Sequence, residues 1–380
     1  MKLLHLSDLH LGKRVNGFSM IEDQEYILKK IINIVDEEKP DGVIIAGDVY
    51  DKTIPPAEAV KLFDDFIVSF SKRNVQVYII SGNHDSPERL SFGGRLMENS
   101  GIHISPVYNG VIKPISFVDE YGTVNIYMLP FVKPANVSGF FEDDEILSYT
   151  DAVGAAIKAM NADKSERNIL ITHQFVTGAV RSESEEISVG GTDNVDSTVF
   201  ECFDYVALGH IHVPQNIGSQ GIRYCGTPLK YSFSEVNHKK SVTAVELFEK
   251  GNIEVRTIPL IPLRDMKEIK GSYEELVSKS FYENTSYRQD YVHITLTDEN
   301  DVPDASAKLR VIYRNLMKLD YDNTRTRNKK NPEALAEELE KKTPIELFSD
   351  FYEKQNGQPM SYEQTNLVKD LIEKIWEEML

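Results

Sequence analysis

The sequence predicts an α/β protein followed by two smaller segments at its C-terminal end. Short apolar runs alternate with amphipathic stretches over the first ~270 residues, which is typical of strands and helices layered in one domain. Beyond that point the pattern becomes a smaller α+β one, and the last fifty residues have the spacing of helices. A chain of 380 residues has room for two or three such units.

Buried strands of the first domain are predicted by short runs rich in Val and Ile between turn residues. These runs are Lys2–Leu6, Gly42–Ala46, Val75–Ile80, Val124–Leu129, Asn168–Thr172 and Tyr205–Leu208. Between them, Ala59–Phe70 carries apolar residues at helical spacing. The alternation implies a largely parallel first sheet. Val242–Phe248 and Ile253–Thr257 are expected to pair within a second sheet that packs on the first.

Pro259 and Pro262 mark the end of this first domain, residues 1–270. An α+β appendage is predicted over 271–325, with a helix capped by Ser272, a strand at Tyr291–Thr297 and a helix through Leu309–Leu319. Residues 326–342 are expected to form a linker.

The final segment, residues 343–380, is predicted to form two helices. Thr343 with Glu346 and Ser361 with Gln364 have the spacing of capping boxes. Gly357 is expected to end the first helix. Apolar stripes follow on both helices, at Ile345, Phe348, Phe351 and Tyr352, and then at Leu367, Val368, Leu371, Ile372, Ile375, Trp376 and Met379.

Composition excludes several classes of protein. With 60 acidic and 42 basic side chains the net charge is −18, which disfavours a protein whose whole surface coats DNA or anionic lipid. Two cysteines, Cys202 and Cys225, are too few for a disulfide framework and favour a reducing compartment. No apolar run approaches the ~20 residues of a membrane span, so we expect a cytoplasmic protein without a targeting segment.

Polar residues cluster in five short segments, each directly after a predicted strand. The segments are Asp8-Leu9-His10, Gly47-Asp48-Val49-Tyr50-Asp51, Gly82-Asn83-His84-Asp85, Thr172-His173 and Gly209-His210-Ile211-His212. Strand ends of an open α/β sheet fan out around a crevice, which is where such folds place their sites. Mixed carboxylate, amide and imidazole donors suit Mn²⁺, Fe²⁺ or Zn²⁺ better than Mg²⁺ or Ca²⁺. The segments supply two carboxylates, one amide and four imidazoles as possible ligands. Seven ligands are too many for one ion but fit two ions that share a carboxylate.

Each segment alone has an ordinary structural explanation. Asp-x-His is common in loops and caps, and Asp after Gly is usual turn chemistry. Gly-His-x-His is more informative, because alternate residues of an extended segment point the same way. The presence of all five in this order favours a metal site.

The five segments resemble the calcineurin-like metallophosphoesterase superfamily, whose pattern is D-x-H, G-D-x-x-D, G-N-H-[DE], H and G-H-x-H. All five elements are present over roughly residues 1–260. Residues 3–14, LLHLSDLHLGKR, together with residues 173–196 and 224–247, are similar to the bacterial SbcD nucleases of that superfamily. The resemblance implies a sandwich of two mixed sheets flanked by helices, a small α+β capping domain and a C-terminal helical segment.

The resemblance also implies two sets of metal ligands and a catalytic histidine. One metal would be held by Asp8, His10, Asp48 and His212. Asp48 would bridge to a second metal, held also by Asn83, His173 and His210. The implied metal is Mn²⁺. His84 would lie near the scissile phosphate and protonate the leaving oxygen. Asp51 would orient His84 or cap its loop, and Asp85 would be structural.

The implied reaction is hydrolysis of DNA phosphodiester bonds by water that two metal ions activate, in exonuclease and endonuclease modes. Lys13, Arg14 and Arg89 are candidate contacts to the DNA backbone, with a solvated face as the alternative. Lys308–Lys330, with eight basic residues against two acidic ones, is a second candidate.

Partners also follow from the resemblance. The C-terminal helices would bind the coiled coil of an SbcC-like ABC-type ATPase, and the alternative for their apolar stripes is an ordinary core. A homodimer within a heterotetramer would form through Leu62–Phe70 and Arg89–Met97. Two other functions stay open, namely a phosphodiesterase or phosphatase acting on small substrates and a scaffold that has lost its metals.

Overall fold

The computed structural model describes residues 1–141, 145–182, 193–329, 343–356 and 358–378. The chain divides into two compact units. The first comprises Met1–Glu268, Thr285–His293 and Tyr313–Lys318. The second comprises Ile269–Asn284, Ile294–Ile312 and Leu319–Leu380. The boundaries predicted for the domains and the linker stay predictions, and 330–342 lie outside the described residues.

The first sheet of the first unit contains the parallel strands expected from the sequence. Its six strands, in spatial order, are β16 (Ile253–Pro259), β15 (Ser241–Leu247), β1 (Lys2–Leu6), β4 (Gly42–Ala46), β5 (Gln76–Ile80) and β6 (Ile102–Ile104). The four strands β1, β4, β5 and β6 are parallel. β15 is antiparallel to β1, and β16 is antiparallel to β15.

One sequence prediction about this sheet was wrong. Val242–Phe248 and Ile253–Thr257 do form a hairpin, but the hairpin extends the first sheet instead of belonging to a second one. A hairpin needs no helical crossover, so it can add antiparallel to the open edge of β1. Both faces of β15 are covered, since Val242 and Ala244 lie in one apolar cluster and Val245 lies in another.

The second sheet faces the first across an apolar core. Its strands, in spatial order, are β13 (Gln215–Ile217), β14 (Ser219–Tyr224), β12 (Tyr205–Gly209), β9 (Arg167–His173), β8 (Gly122–Leu129) and β7 (Ile115–Asp119). β14, β12, β9 and β8 are parallel, with β13 and β7 antiparallel at the edges. Ile44, Tyr78, Ile126, Ile171 and Ala207 pack between the two sheets. The predicted sandwich of two mixed sheets is confirmed.

Helices cover the outer faces of the sandwich. α1 (Ile21–Glu38) and α2 (Ala57–Ser71) pack on the first sheet, and α6 (Tyr149–Met160) packs on the second. The shorter helices are α3 (Pro87–Leu90), α4 (Gly94–Met97) and α5 (Pro134–Val137). Two short ribbons complete the unit, β2 (Arg14–Val15) with β3 (Phe18–Ser19) and β10 (Phe175–Val176) with β11 (Asn194–Val195).

A three-stranded sheet follows in the order β17 (Met266–Gly271), β18 (Tyr291–Leu296) and β19 (Leu316–Tyr321). The helices beside it in the chain are α7 (Tyr273–Val277), α8 (Lys279–Tyr282), α9 (Ala305–Arg310) and α10 (Thr324–Lys329). The helix predicted through Leu309–Leu319 was wrong beyond Arg310, since no helix continues over residues 311–315 and β19 begins at Leu316. Leu309, Tyr313 and Leu316 are all buried at a spacing that imitates a helix, although the backbone turns after Arg310.

The C-terminal helices are α11 (Pro344–Asn356) and α12 (Tyr362–Glu378). Both predicted capping boxes are confirmed. The backbone N–H of Thr343 donates to Oε2 of Glu346 at 2.7 Å, and that of Ser361 donates to Oε1 of Gln364 at 2.9 Å. The reciprocal bonds to the two hydroxyls are 3.4 and 3.3 Å long. The predicted helix end at Gly357 and the stripe residue Met379 lie outside the described residues. Within the described part of the chain, no helix has the length and apolar character that crossing a membrane requires.

Candidate metal centre

The five polar segments lie in the loops after β1, β4, β5, β9 and β12, at the carboxyl ends of parallel strands. Four of their non-glycine residues adopt left-handed backbone conformations, with φ of 53° at Asp8, 44° at His10, 49° at Asp48 and 98° at His210. Such conformations are strained for residues with a side chain and concentrate at functional sites. The strained backbone therefore accompanies the orientation of these four side chains toward the site.

Glycines allow the loops to approach one another closely. A Cβ atom at Gly209 would lie 1.9 Å from the carbonyl oxygen of Ala46, and one at Gly82 would lie 2.2 Å from Oδ1 of Asp48. Neither position has room for any side chain. The loops after β4, β5 and β12 can meet only because these residues are glycine.

His10 and His212 face each other with their Nε2 atoms 3.2 Å apart. Both are buried, and together with Asp8 they offer three ligand atoms that lie within 4.8 Å of one another. The carboxylate of Asp8 accepts from the hydroxyl of Ser7 and from the backbone N–H of His210, at 3.1 Å. Three donors from two strand ends thus converge on one point.

A second cluster surrounds Oδ1 of Asn83. This oxygen lies 3.0 Å from Nε2 of His173 and 2.9 Å from Nδ1 of His210. Oδ2 of Asp48 lies 3.3 Å from the same His173 nitrogen and 3.7 Å from Nε2 of His10. Asp48 is thereby within reach of both clusters, which is the arrangement of a carboxylate that bridges two ions.

Protonation states in the pocket favour cation binding. Burial lowers the pKa of His10 well below its ordinary value and lowers that of His210 to about 3, so both rings are neutral at pH 7 and keep a lone pair. Burial by itself would raise the pKa of Asp48, but the facing His173 brings it well below the usual range. For His173 burial acts downward, yet the charge of Asp48 raises its pKa to about 9. His173 therefore holds a proton beside Asp48 that a bound metal would displace. With that exchange, the residues present fit a pair of divalent ions.

His84 lies at the rim of the pocket and is half-buried. Its backbone N–H donates to Oδ1 of Asp48 at 2.9 Å, and its ring lies edge-on to that of His10 with centroids 4.9 Å apart. Nδ1 of His84 is 3.1 Å from the carbonyl oxygen of Asp51, to which it donates. This contact leaves Nε2 as the nitrogen available to a ligand.

Asp51 and Asp85 act differently from each other. The carboxylate of Asp51 accepts from Nζ of Lys13 at 2.6 Å and lies 3.6 Å from Nδ1 of His10, so only its backbone carbonyl contacts His84. Asp85 accepts from the backbone N–H groups of Val49, Tyr50 and Gly82, which is the structural role predicted for it. Burial, with the nearby charge of Asp48, raises the pKa of Asp85 to about 6.

The candidate DNA contacts differ in exposure. Lys13 is mostly buried against Asp51 and Tyr231, with its Nζ 5.6 Å from the centroid of the tyrosine ring. Arg14 and Arg89 are exposed, and Arg14 donates to the carbonyl oxygen of Gly17. Contact with DNA stays a prediction for all three.

Sequence reasoning missed several residues that shape the pocket. Gln24 of α1 donates to the carbonyl oxygen of His10 at 2.7 Å. The hydroxyl of Tyr231 donates to the carbonyl oxygen of Leu9 at 2.6 Å. Glu235 lies behind His212. Its burial acts to raise its pKa, but the nearby His212 ring and the charge of Lys240 lower it to about 2. Tyr231, Glu235 and Lys240 all fall in the 224–247 stretch, which was informative only as a resemblance.

Comparisons with known proteins show the family of the chain. Residues 1–214 match the model of the calcineurin-like phosphoesterase family, and residues 262–356 match the type 5 capsule protein repressor C-terminal domain. The SbcD component of the nuclease SbcCD from Staphylococcus epidermidis is 33% identical over 98% of this chain and 98% of its own. The SbcD component from Staphylococcus saprophyticus is also 33% identical, over 100% of this chain and 99% of its own length. A solved dimetal phosphatase from Danio rerio covers 69% of this chain and 99% of its own at 12% identity, with a TM-score of only 0.38.

Proposed function

Since this chain belongs to the calcineurin-like phosphoesterase family and, within it, to the SbcD nucleases, we propose that it cuts DNA both as a double-strand exonuclease and as a single-strand and hairpin endonuclease. The observation that carries the proposal is the position of Asp48, whose carboxylate lies 3.3 Å from His173 and 3.7 Å from His10. Paired ligand clusters around one carboxylate are suited to hydrolysis of a phosphodiester.

Two ligand sets are proposed from this geometry, with Mn²⁺ as the ion. Asp8, His10, Asp48 and His212 form the first set, and Asp48, Asn83, His173 and His210 form the second. When bound, a pair of divalent ions lowers the pKa of water and stabilises the charge that develops on phosphoryl oxygens. The chain contributes neutral imidazoles at His10 and His210, an ionised Asp48 and loops that approach one another closely at Gly82 and Gly209.

His84 is proposed as the catalytic acid. The carbonyl of Asp51 accepts from Nδ1 and fixes the ring, and in the imidazolium form Nε2 carries the second proton, which passes to the leaving oxygen of the cut strand. The backbone N–H of His84 donates to Asp48, which holds this residue at the pocket. Asp51 is proposed to position His10 with its carboxylate and His84 with its carbonyl.

DNA is proposed to reach the pocket over exposed arginines rather than over a generally basic surface, since the net charge is −18. Arg14 and Arg89 are the proposed contacts to the DNA backbone near the site. Lys13, which is mostly buried and paired with Asp51, is proposed to add positive charge there. In the 308–330 cluster, Arg325 pairs with Asp301 and Arg327 pairs with Asp322, which weakens that cluster as a phosphate site.

The proposed activity is tested with the purified chain, Mn²⁺ and end-labelled linear duplex or hairpin DNA, with and without an SbcC-like ATPase. We expect DNA degradation that a chelator abolishes and that the ATPase changes in rate. Hydrolysis confined to small phosphodiesters would replace the nuclease by a phosphodiesterase. Failure to bind Mn²⁺ at all would leave a scaffold.

The C-terminal helices are proposed to bind the coiled coil of an ABC-type ATPase of the SbcC kind, in the cytoplasm and in the service of DNA repair and recombination. Phe348 and Phe351 of α11 and Leu367 and Leu371 of α12 are exposed large apolar side chains. An apolar face on paired helices suits docking of another helix in the groove between them.

Homodimer formation is proposed through Arg89–Met97. Phe92 and Leu96 are 85% and 82% exposed there, whereas Phe63, Phe66 and Phe70 of the other candidate segment are buried in the chain's own core. We expect the double variant Phe92→Ser with Leu96→Ser to be monomeric by light scattering, because it removes the apolar surface that association would bury. Its hydrolysis of a small phosphodiester per chain should equal that of the parent. A dimer that survives the substitutions at micromolar concentration would contradict this interface.

A further inference from the structure

Glu235 is a fully buried carboxylate directly behind His212 in the candidate metal centre. Its side chain is 0% exposed. Oε1 lies 3.8 Å from Nδ1 of His212, and Oε2 accepts a hydrogen bond from Nζ of Lys240. A buried carboxylate is costly unless it is paired, so the lysine is needed to keep it there.

Lys240 connects the carboxylate to the backbone of the same ligand. Its Nζ donates to Thr227 Oγ1 at 2.6 Å and to the carbonyl oxygen of His212 at 3.0 Å, in addition to Glu235. One ammonium group therefore fixes both the main chain of His212 and the group that faces its ring.

The two ring nitrogens of His212 face opposite ways. Nε2 lies 3.2 Å from Nε2 of His10, inside the pocket, so Nδ1 faces Glu235 outside it. A carboxylate beside Nδ1 favours the tautomer with its hydrogen on that nitrogen, which leaves the lone pair on Nε2. The ring is then ready to bind a cation before any cation arrives.

The proposed ligand histidines differ in the group that faces Nδ1. Nδ1 of His173 lies 2.8 Å from the carbonyl oxygen of Ala46, which is a neutral acceptor. Nδ1 of His10 and Nδ1 of His212 instead face carboxylates, each paired with a lysine. Both carboxylate-backed rings belong to the proposed first ligand set, and a carboxylate makes imidazole a stronger donor than a carbonyl does.

We infer that Glu235 and Lys240 form a positioning pair that orients His212 and raises the affinity of the first ion site, a role that rests on the proposed two-metal function. A purely structural role is the competing explanation, because a buried ion pair also holds residues 235–240 in place. The two explanations differ for a variant that lacks both charges. Replacing a buried pair by neutral groups of similar size leaves stability nearly unchanged, but it removes the carboxylate from His212.

The test uses the full chain carrying Glu235→Gln with Lys240→Met, titrated with Mn²⁺ in a calorimeter and melted without metal. We expect a melting temperature close to that of the parent and one of two binding steps weakened roughly 10–100-fold. The Glu235→Gln variant alone should lose both stability and affinity. The matched control is Asp204→Asn, which changes a buried carboxylate paired with Lys250. Asp204 directly precedes β12 and lies at the opposite end of that strand from His210. This variant should leave both binding steps unchanged.

Parent-like binding by the double variant would overturn the inference. If that variant does not fold, ¹⁵N NMR of histidines in the metal-free parent decides, because a proton on Nε2 of His212 contradicts the role and one on Nδ1 supports it. Absence of Mn²⁺ binding by the parent itself would remove the proposed function and the inference with it.

Discussion

Asp48→Asn is expected to abolish binding of both ions and to lower the rate of DNA hydrolysis by roughly 10³-fold or more, since metal ions contribute several kcal/mol to such reactions. Asp48 is buried within reach of both clusters and is ionised because His173 faces it. Asparagine keeps an oxygen that can accept from the backbone N–H of His84, as Oδ1 of Asp48 does at 2.9 Å. The loop geometry is thus retained while the charge proposed to bridge the two ions is lost.

The measurement is Mn²⁺ stoichiometry by calorimetry, with DNA hydrolysis followed in parallel. Asp65→Asn is a suitable control, because Asp65 is an exposed carboxylate of α2 paired with Lys61 on the same helix. An Asp48→Asn protein that still binds two ions with parent affinity would show that Asp48 is not the bridge. Loss of one ion alone would assign it to a single cluster.

Much of the first unit follows from the sequence because its strands are short and sharply bounded. Lys2–Leu6 and Gly42–Ala46 have the predicted ends, and the others differ by one or two residues. Parallel strands end at the same edge of a sheet, so polar residues placed after them had to meet. The convergence of Asp8, Asp48 and the late histidines was predictable for that reason.

What the sequence could not supply depends on contacts between distant segments. Whether the β15–β16 hairpin joins the first or the second sheet depends on which strand edge is open, and that is set by the whole topology. Leu309, Tyr313 and Leu316 suit a helix and a helix–turn–strand equally well. The carboxylate of Asp51 faces His10 rather than His84, and Glu235 faces a histidine 23 positions earlier. Neither contact has a local signature.

His84→Gln is expected to lower the rate of DNA hydrolysis by about 10²–10⁴-fold, the usual contribution of a positioned acid, while both ions still bind. His84 shares a three-residue cluster with His10 and Asp48, but it is held by its backbone bond to Asp48, which glutamine keeps. Calorimetry with Mn²⁺ should therefore give two binding steps of parent affinity.

Substrates with different leaving groups separate an acid from a residue that merely supports the pocket. DNA expels an alkoxide that needs a proton, whereas a bis-p-nitrophenyl ester expels a phenolate that does not. The loss in His84→Gln should therefore be much smaller for the ester than for DNA, and His103→Gln, a half-buried histidine bonded to Gln76, should change neither rate. Equal losses on both substrates, with metal binding intact, would mean that His84 stabilises the phosphoryl group rather than protonating the oxygen that leaves it.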